Sequence, residues 1–147
     1  MKLLVKFLEL PTGDRGALIE AVVCLGLARL LLLVPFRRLA PWLGRPQPGA
    51  DQSGVVLDAG DRAAALRVQR ALLRAARHLP WHSSCLVCAL GGRMMLGRRH
   101  LPSVLQLGAR SSSAMELAAH AWLRCGEIDV IGAETAGLYT PIVAFRA

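Results

Sequence analysis

From Ser103 onward the apolar residues change their spacing, and no other feature limits the folds open to this chain so strongly. Before that point they recur at helical intervals among helix-forming neighbours. After it, Val104, Leu105 and Leu107 read as one strand, Leu117 to Leu123 as the next, then Ile128 to Ile131 and Pro141 to Phe145. Gly108 to Ser113 reads as a polar loop. Helices first and an antiparallel sheet second is an α+β order. No internal repeat is visible.

The helical half divides at its turn residues. Met1 to Leu10 alternates Leu3, Val5 and Phe7 with Lys2, Lys6 and Glu9, which suits a strand or the lead-in to a helix. Pro11 to Asp14 is a turn, with Asp14 as a cap for the next element. Ala17 to Val34 reads as a helix that Pro35 ends or bends. A span needs about 20 apolar residues. Glu20 and Arg29 count against one, because each would cost a few kcal/mol in hydrocarbon. A helix packed on the domain or on a partner protein is the first expectation and a helix lying in a membrane interface the second. Arg37, Arg38 and Trp42 keep a membrane-surface contact through residues 17–42 open. Leu43 to Gly60, with Pro46, Pro48 and four glycines, is a linker or long loop. Asp61 to Leu79 is a second helix, with Leu66, Leu73 and Leu79 on its apolar face and Arg62, Arg67, Arg70, Arg74 and Arg77 on the other. A solvated basic face is the plainer reading of those arginines, and a cradle for an acidic peptide the sharper. The expected organisation is an apolar helical segment over 1–45, a linker over 46–60 and a core over 61–147.

Composition narrows the partners. The chain has 147 residues, enough for one compact domain, and 54% are hydrophobic, enough to fill a core and leave apolar surface for a partner or a membrane. The net charge of +8 is almost all arginine, since only Lys2 and Lys6 are lysines. That balance favours acidic partners. The arginines form no dense block with interleaved aromatics, so nucleic acid is not the expected partner. The four cysteines (24, 85, 88 and 125) are irregularly spaced, and no cleavage-type segment follows the first apolar run. The expectation is free thiols in a reducing cytoplasm, with membrane association open.

The chemistry concentrates at Pro80-Trp81-His82-Ser83-Ser84-Cys85. A turn ends in small polar residues, and a cysteine opens an apolar run to about Gly97. Leu86, Leu90, Met94 and Met95 face inward in that reading. Ser83 or Ser84 can cap the helix through its hydroxyl. Cys85 then lies in the first turn, where free N–H groups and the helix dipole favour an anion, and the thiolate is the nucleophilic form. His120 comes later, inside the apolar strand Ala118 to Leu123. A cysteine at a helix start and a histidine on a later strand are two parts of a thiol hydrolase. Singly, each has a plainer reading: a buried thiol, a satisfied strand histidine. Cys85-x-x-Cys88 could be a redox or metal pair, but there is no second such pair and no histidine pair at ligand spacing. Neither metal nor cofactor is expected, and Cys88 is assigned to the core.

A two-residue loop at Cys125-Gly126 would pair Arg124 with Glu127, Trp122 with Asp129 and His120 with Ile131. His120, Trp122 and Asp129 would then share a face, with Asp129 diagonal to His120 at about 7–8 Å between backbones. Nucleophile, base and orienting carboxylate would be Cys85, His120 and Asp129. A longer loop would remove Asp129 from that face.

Trp81 through Cys85-Leu86 to Ala89-Leu90, Leu105 to Gly108 and Ala119-His120-Ala121-Trp122-Leu123 resemble the transglutaminase-like leader peptidases of lasso-peptide biosynthesis. Val130 to Glu134, Tyr139 to Phe145 and the N-terminal order of short lead, leucine-rich helix and Pro-Phe-Arg-Arg are similar to theirs too. The resemblance implies a transglutaminase/papain-like core and a cysteine peptidase that removes the leader of a ribosomally made precursor. The chain resembles the peptidase half of a split B protein. The implied partners are the precursor peptide and a separate leader-recognition protein, with the lasso cyclase a further candidate. The resemblance implies Cys85 as nucleophile, His120 as base and an aspartate as third member. This chain departs from the pattern at Cys88, His100, Arg124 and Gly132. Asp129 is the assigned third member and Glu134 the alternate; a strand carbonyl or a water could also orient the imidazole. Trp81 Nε1–H is a candidate second oxyanion donor beside the Cys85 N–H. The alternatives to a peptidase are a non-catalytic partner- or membrane-binding protein and an acyl transferase on the same scaffold.

Overall fold

The computed structural model describes residues 1–48, 55–111 and 117–147. It is an α+β arrangement of helices packed on an antiparallel sheet. The helices are α1 (Lys2–Leu8), α2 (Thr12–Leu31), α3 (Phe36–Leu39), α4 (Ala59–His78) and α5 (Cys85–Gly97). The strands are β1 (Arg45–Pro48), β2 (Val104–Ser111), β3 (Leu117–Cys125), β4 (Ile128–Ile131) and β5 (Thr140–Arg146), in the order β1-β5-β2-β3-β4.

The residues before Pro11 form a helix, not a strand. Helix α2 begins at Thr12, one residue after Pro11, so Asp14 lies in its first turn and not at its cap. There Asp14 favours the dipole and pairs with Arg67 of α4 at 3.4 Å. Ala17, Ala21, Cys24, Leu25 and Ala28 form the buried stripe of α2 against α4 and α5. Ile19, Val23, Leu27 and Leu30, at helical spacing, stay exposed on its outer side. Glu20 is held by Arg99 through two bonds of 2.9 and 2.7 Å. Among the described residues, no helix is long and apolar enough to cross a membrane.

Helix α4 starts earlier than its sequence pattern implies, because Asp58 caps it by accepting the Asp61 N–H at 2.7 Å. Its buried stripe is Ala65, Val68, Ala71, Leu72 and Ala75. Leu66 and Leu73, expected inward, are exposed. The small residues are inside because they permit close approach of three helices. Gly91 and Gly92 of α5 do the same. A Cβ on Gly91 would lie 3.1 Å from Leu25, and one on Gly92 2.7 Å from Leu123 and 2.8 Å from Leu72. In α5, Val87, Cys88, Ala89, Leu90, Met95 and Leu96 are buried, while Leu86 and Met94 are half-buried.

Two loop expectations are corrected. Residues 45–48 do not belong to a linker: they pair antiparallel with β5, from Arg45 opposite Arg146 to Pro48 opposite Val143. Their prolines are tolerated because β1 is an edge strand. Of the rest of the expected linker over 46–60, residues 49–54 lie outside the described residues, and Ala59 and Gly60 already belong to α4. Gly108 to Ser111 is not loop but the end of β2, paired with His120 to Leu117. Residues 112 and 113 of that expected loop are likewise outside.

Candidate active site

The β3–β4 hairpin differs from its expected register. Its two-residue turn is Gly126-Glu127, and Cys125 pairs with Ile128. A turn matching the strand twist needs positive φ at its first central residue, and Gly126 supplies +55°. The loop therefore starts at the glycine, where the sequence pattern had it end. Arg124 faces Asp129, and a bulge comes next before Leu123 meets Ile131. Arg124 Nε lies 2.7 Å from Asp129 Oδ1. The expected diagonal from Asp129 to His120 is not formed, and the His120 hydrogen bonds include neither Asp129 nor Glu134.

Cys85 is the first residue of α5. Ser84 caps the helix, its hydroxyl accepting the Val87 N–H at 3.3 Å. The turn before it is tied to α2 by Arg29, which donates to the His82 carbonyl at 3.2 Å. Trp81 Nε1 and Ser83 Oγ are buried there without a hydrogen-bond partner among the described residues. Cys85 is half-buried against the core. Cys88 is buried, and desolvation, with the neighbouring Cys85 as a second cause, pushes its thiol up to about 11. Burial also pushes Cys125 up to about 11 and raises Cys24.

His120 is held on several sides. Its ring stacks on Tyr139 at 4.8 Å between centroids and on Trp122 at 5.8 Å. Trp122 Nε1 donates to Gln106 of β2, and the Arg110 guanidinium lies 5.4 Å over the Tyr139 ring. His120 Nε2 is 2.7 Å from the Gly132 carbonyl and 3.1 Å from Thr135 Oγ1. A carbonyl can only accept, so Nε2 carries the proton and Nδ1 is the basic nitrogen of the neutral ring. Gly132, Thr135 and Tyr139 come from the end of β4 and from the 3-10 turn Ala133–Leu138 and its cap. Sequence reading missed Thr135 and Tyr139 as neighbours of the histidine. The available signal was the glycine closing an apolar strand, which marks a tight return of the chain.

Alternation along β3 places Leu123 toward α5 and α4, and His120 with Trp122 on the other face. His120 is bonded to Gly132 and Thr135, and no hydrogen bond joins it to Cys85 among the described residues. Among the described residues, no three histidine, cysteine or carboxylate side chains are placed to hold a metal ion.

A helix that opens on a capped cysteine, followed by a sheet whose third strand carries a histidine, fits a thiol-chemistry scaffold. The family comparison agrees: residues 30–144 match the transglutaminase-like superfamily, and the chain belongs to it. That superfamily includes cysteine proteases and acyltransferases. No curated protein and no solved structure shows a significant match to the chain.

Proposed function

We propose that this chain is a cysteine endopeptidase that removes the leader from a ribosomally made lasso-peptide precursor. The observation carrying the reading is Cys85 in the first turn of α5, capped by Ser84, in a transglutaminase-like chain. The sequence resemblance around Cys85 and His120 supplies the leader-peptidase subtype.

In this mechanism Nδ1 of His120 takes the Cys85 proton, and the thiolate attacks the carbonyl carbon before the scissile bond. The developing oxyanion accepts from the Cys85 backbone N–H and from Trp81 Nε1–H. The second donor has no other partner among the described residues, and an unsatisfied buried N–H costs about 1–3 kcal/mol until an acceptor arrives. The imidazolium returns its proton to the leaving amine, a thioester remains on Cys85, and water releases the acid. This mechanism requires Nδ1 of His120 and the Cys85 thiol to come within hydrogen-bond reach in the substrate complex, a bond that is not present among the described residues. The exposed stripe Ile19, Val23, Leu27 and Leu30 is the surface we assign to the leader-recognition protein.

The test is incubation of the purified chain with a synthetic lasso-precursor peptide and a candidate leader-recognition protein, read by mass spectrometry. Wild type should release leader and core as hydrolysis products. Cys85→Ala should release neither, and cleavage retained in that folded variant overturns the assignment. A product carrying the acyl group on an amine would replace hydrolysis with acyl transfer.

A further inference from the structure

A histidine base needs its distal nitrogen fixed, because the wrong tautomer presents a proton where a lone pair is required. Among the described residues no carboxylate bonds that nitrogen: Asp129 lies beside Arg124 instead, its Oδ1 2.7 Å from Arg124 Nε. The Gly132 main-chain carbonyl lies against Nε2 instead, at 2.7 Å.

The placement of that carbonyl depends on glycine. Gly132 has φ +80°, a left-handed conformation that other residues resist. A Cβ there would lie 2.6 Å from the Ala121 carbonyl oxygen and 3.2 Å from the Trp122 backbone. Gly132 therefore packs directly on the main chain beside His120, leaving no room for a side chain at that point. Thr135 Oγ1 offers Nε2 a second acceptor at 3.1 Å, and Tyr139 and Trp122 limit rotation of the ring.

We propose that the Gly132 carbonyl, assisted by Thr135, is the positioning group for His120 and stands where a carboxylate would serve in a three-residue site. This rests on the cysteine chemistry proposed above. The carbonyl fixes Nε2 as the protonated nitrogen and leaves Nδ1 free to accept the Cys85 proton. It also carries no formal charge. The imidazolium formed during reaction is therefore stabilised by a dipole, and Asp129 has no part in the step.

The test uses the full chain with p-nitrophenyl acetate as acyl donor, together with ¹⁵N NMR of the histidine ring. The resting His120 should be the Nε2–H tautomer. Replacing Ala133 by its α-hydroxy acid turns the Gly132 carbonyl into an ester, a weaker acceptor, without adding a side chain. That variant should lose turnover by about tenfold or more with little change in KM, within the ~10²–10⁴ that a positioned base contributes, and should mix the tautomers. Gly132→Ala should do the same if it folds. Thr135→Val should give a smaller loss that Thr135→Ser restores. Asp129→Asn should keep turnover within about twofold. An Nδ1–H tautomer in wild type, or an ester variant unchanged in both readouts, overturns the proposal. So does a hundredfold loss in Asp129→Asn. Turnover surviving Cys85→Ala would instead refute the cysteine chemistry, while the tautomer measurement would still decide the role of Gly132.

Discussion

The four cysteines allow a direct trial of the site's electrostatics. At about pH 8, a thiol with a pKa of about 11, as for Cys88 and Cys125, is roughly 0.1% thiolate. An ordinary thiol at 9.0 would be roughly 9%. Ionisation alone therefore slows alkylation of Cys88 and Cys125 by about a hundredfold relative to an unperturbed cysteine, before burial limits access. Cys24 is shifted the same way by desolvation and by Glu20. Cys85 alone is half-buried while the other three are buried. Limiting iodoacetamide should therefore mark Cys85 first. Cys85 and Cys88 share the tryptic peptide from His78 to Arg93, so fragment ions must assign the label. Cys85 is also the second cause of the raised Cys88 value, so Cys85→Ser should modestly speed labelling of Cys88 without removing its larger burial penalty. Equal labelling of Cys85 and Cys88 in the native chain would refute this reasoning, because it would mean that α5 does not bury its fourth residue.

Two further outcomes rest on packing and charge. Gly92→Ala forces a Cβ to 2.7 Å from Leu123 and 2.8 Å from Leu72, an overpacking that costs about 1–3 kcal/mol and should lower Tm by several degrees in calorimetry; an unchanged Tm would deny the close seating of α5 on β3. The Glu127 carboxyl is held below the usual range first by its own backbone N–H, then, against a smaller desolvation effect, by the Leu57 N–H and by Arg62. Its folded value is depressed, so its contribution is present above about pH 4.5 and is lost as pH falls through the folded value; Glu127→Gln should flatten that acid limb in urea melts, and an identical limb would contradict the assignment.

The parts of the fold that were legible have local signatures. The limits of α5 come from Ser84 at its start and an apolar run to Gly97, and β4 comes from Ile128 to Ile131. The α4 face was misread because pattern reading ranks leucines above alanines. Here alanines and Val68 line the contact, and Leu66 and Leu73 stay outside. Edge strand β1 was illegible for a different reason. Arg45-Pro46-Gln47-Pro48 has the composition of a loop, and only its pairing with β5, nearly a hundred positions later, makes it a strand.

The site divides along the same line. A cysteine at a capped helix start has a sequence signature, because capping hydroxyls and apolar spacing can be read without coordinates. A carboxylate can also be seen in a sequence, which is why Asp129 drew the orienting role. Its actual position depended on the φ angle at Gly126, and starting the turn there gave its charge to Arg124. A main-chain carbonyl has no signature at all, since each residue owns one. Conformation selects one carbonyl for His120: a left-handed glycine pressed against Ala121 and Trp122, which the chain can maintain only while position 132 has no side chain. The glycine at position 132, where the chain departs from the family pattern, and the Arg124–Asp129 pairing together give His120 a main-chain carbonyl in place of the expected Asp129 diagonal. In the arrangement proposed above, the backbone approaches closely enough to stand in for a carboxylate, and glycine is the residue that permits the approach.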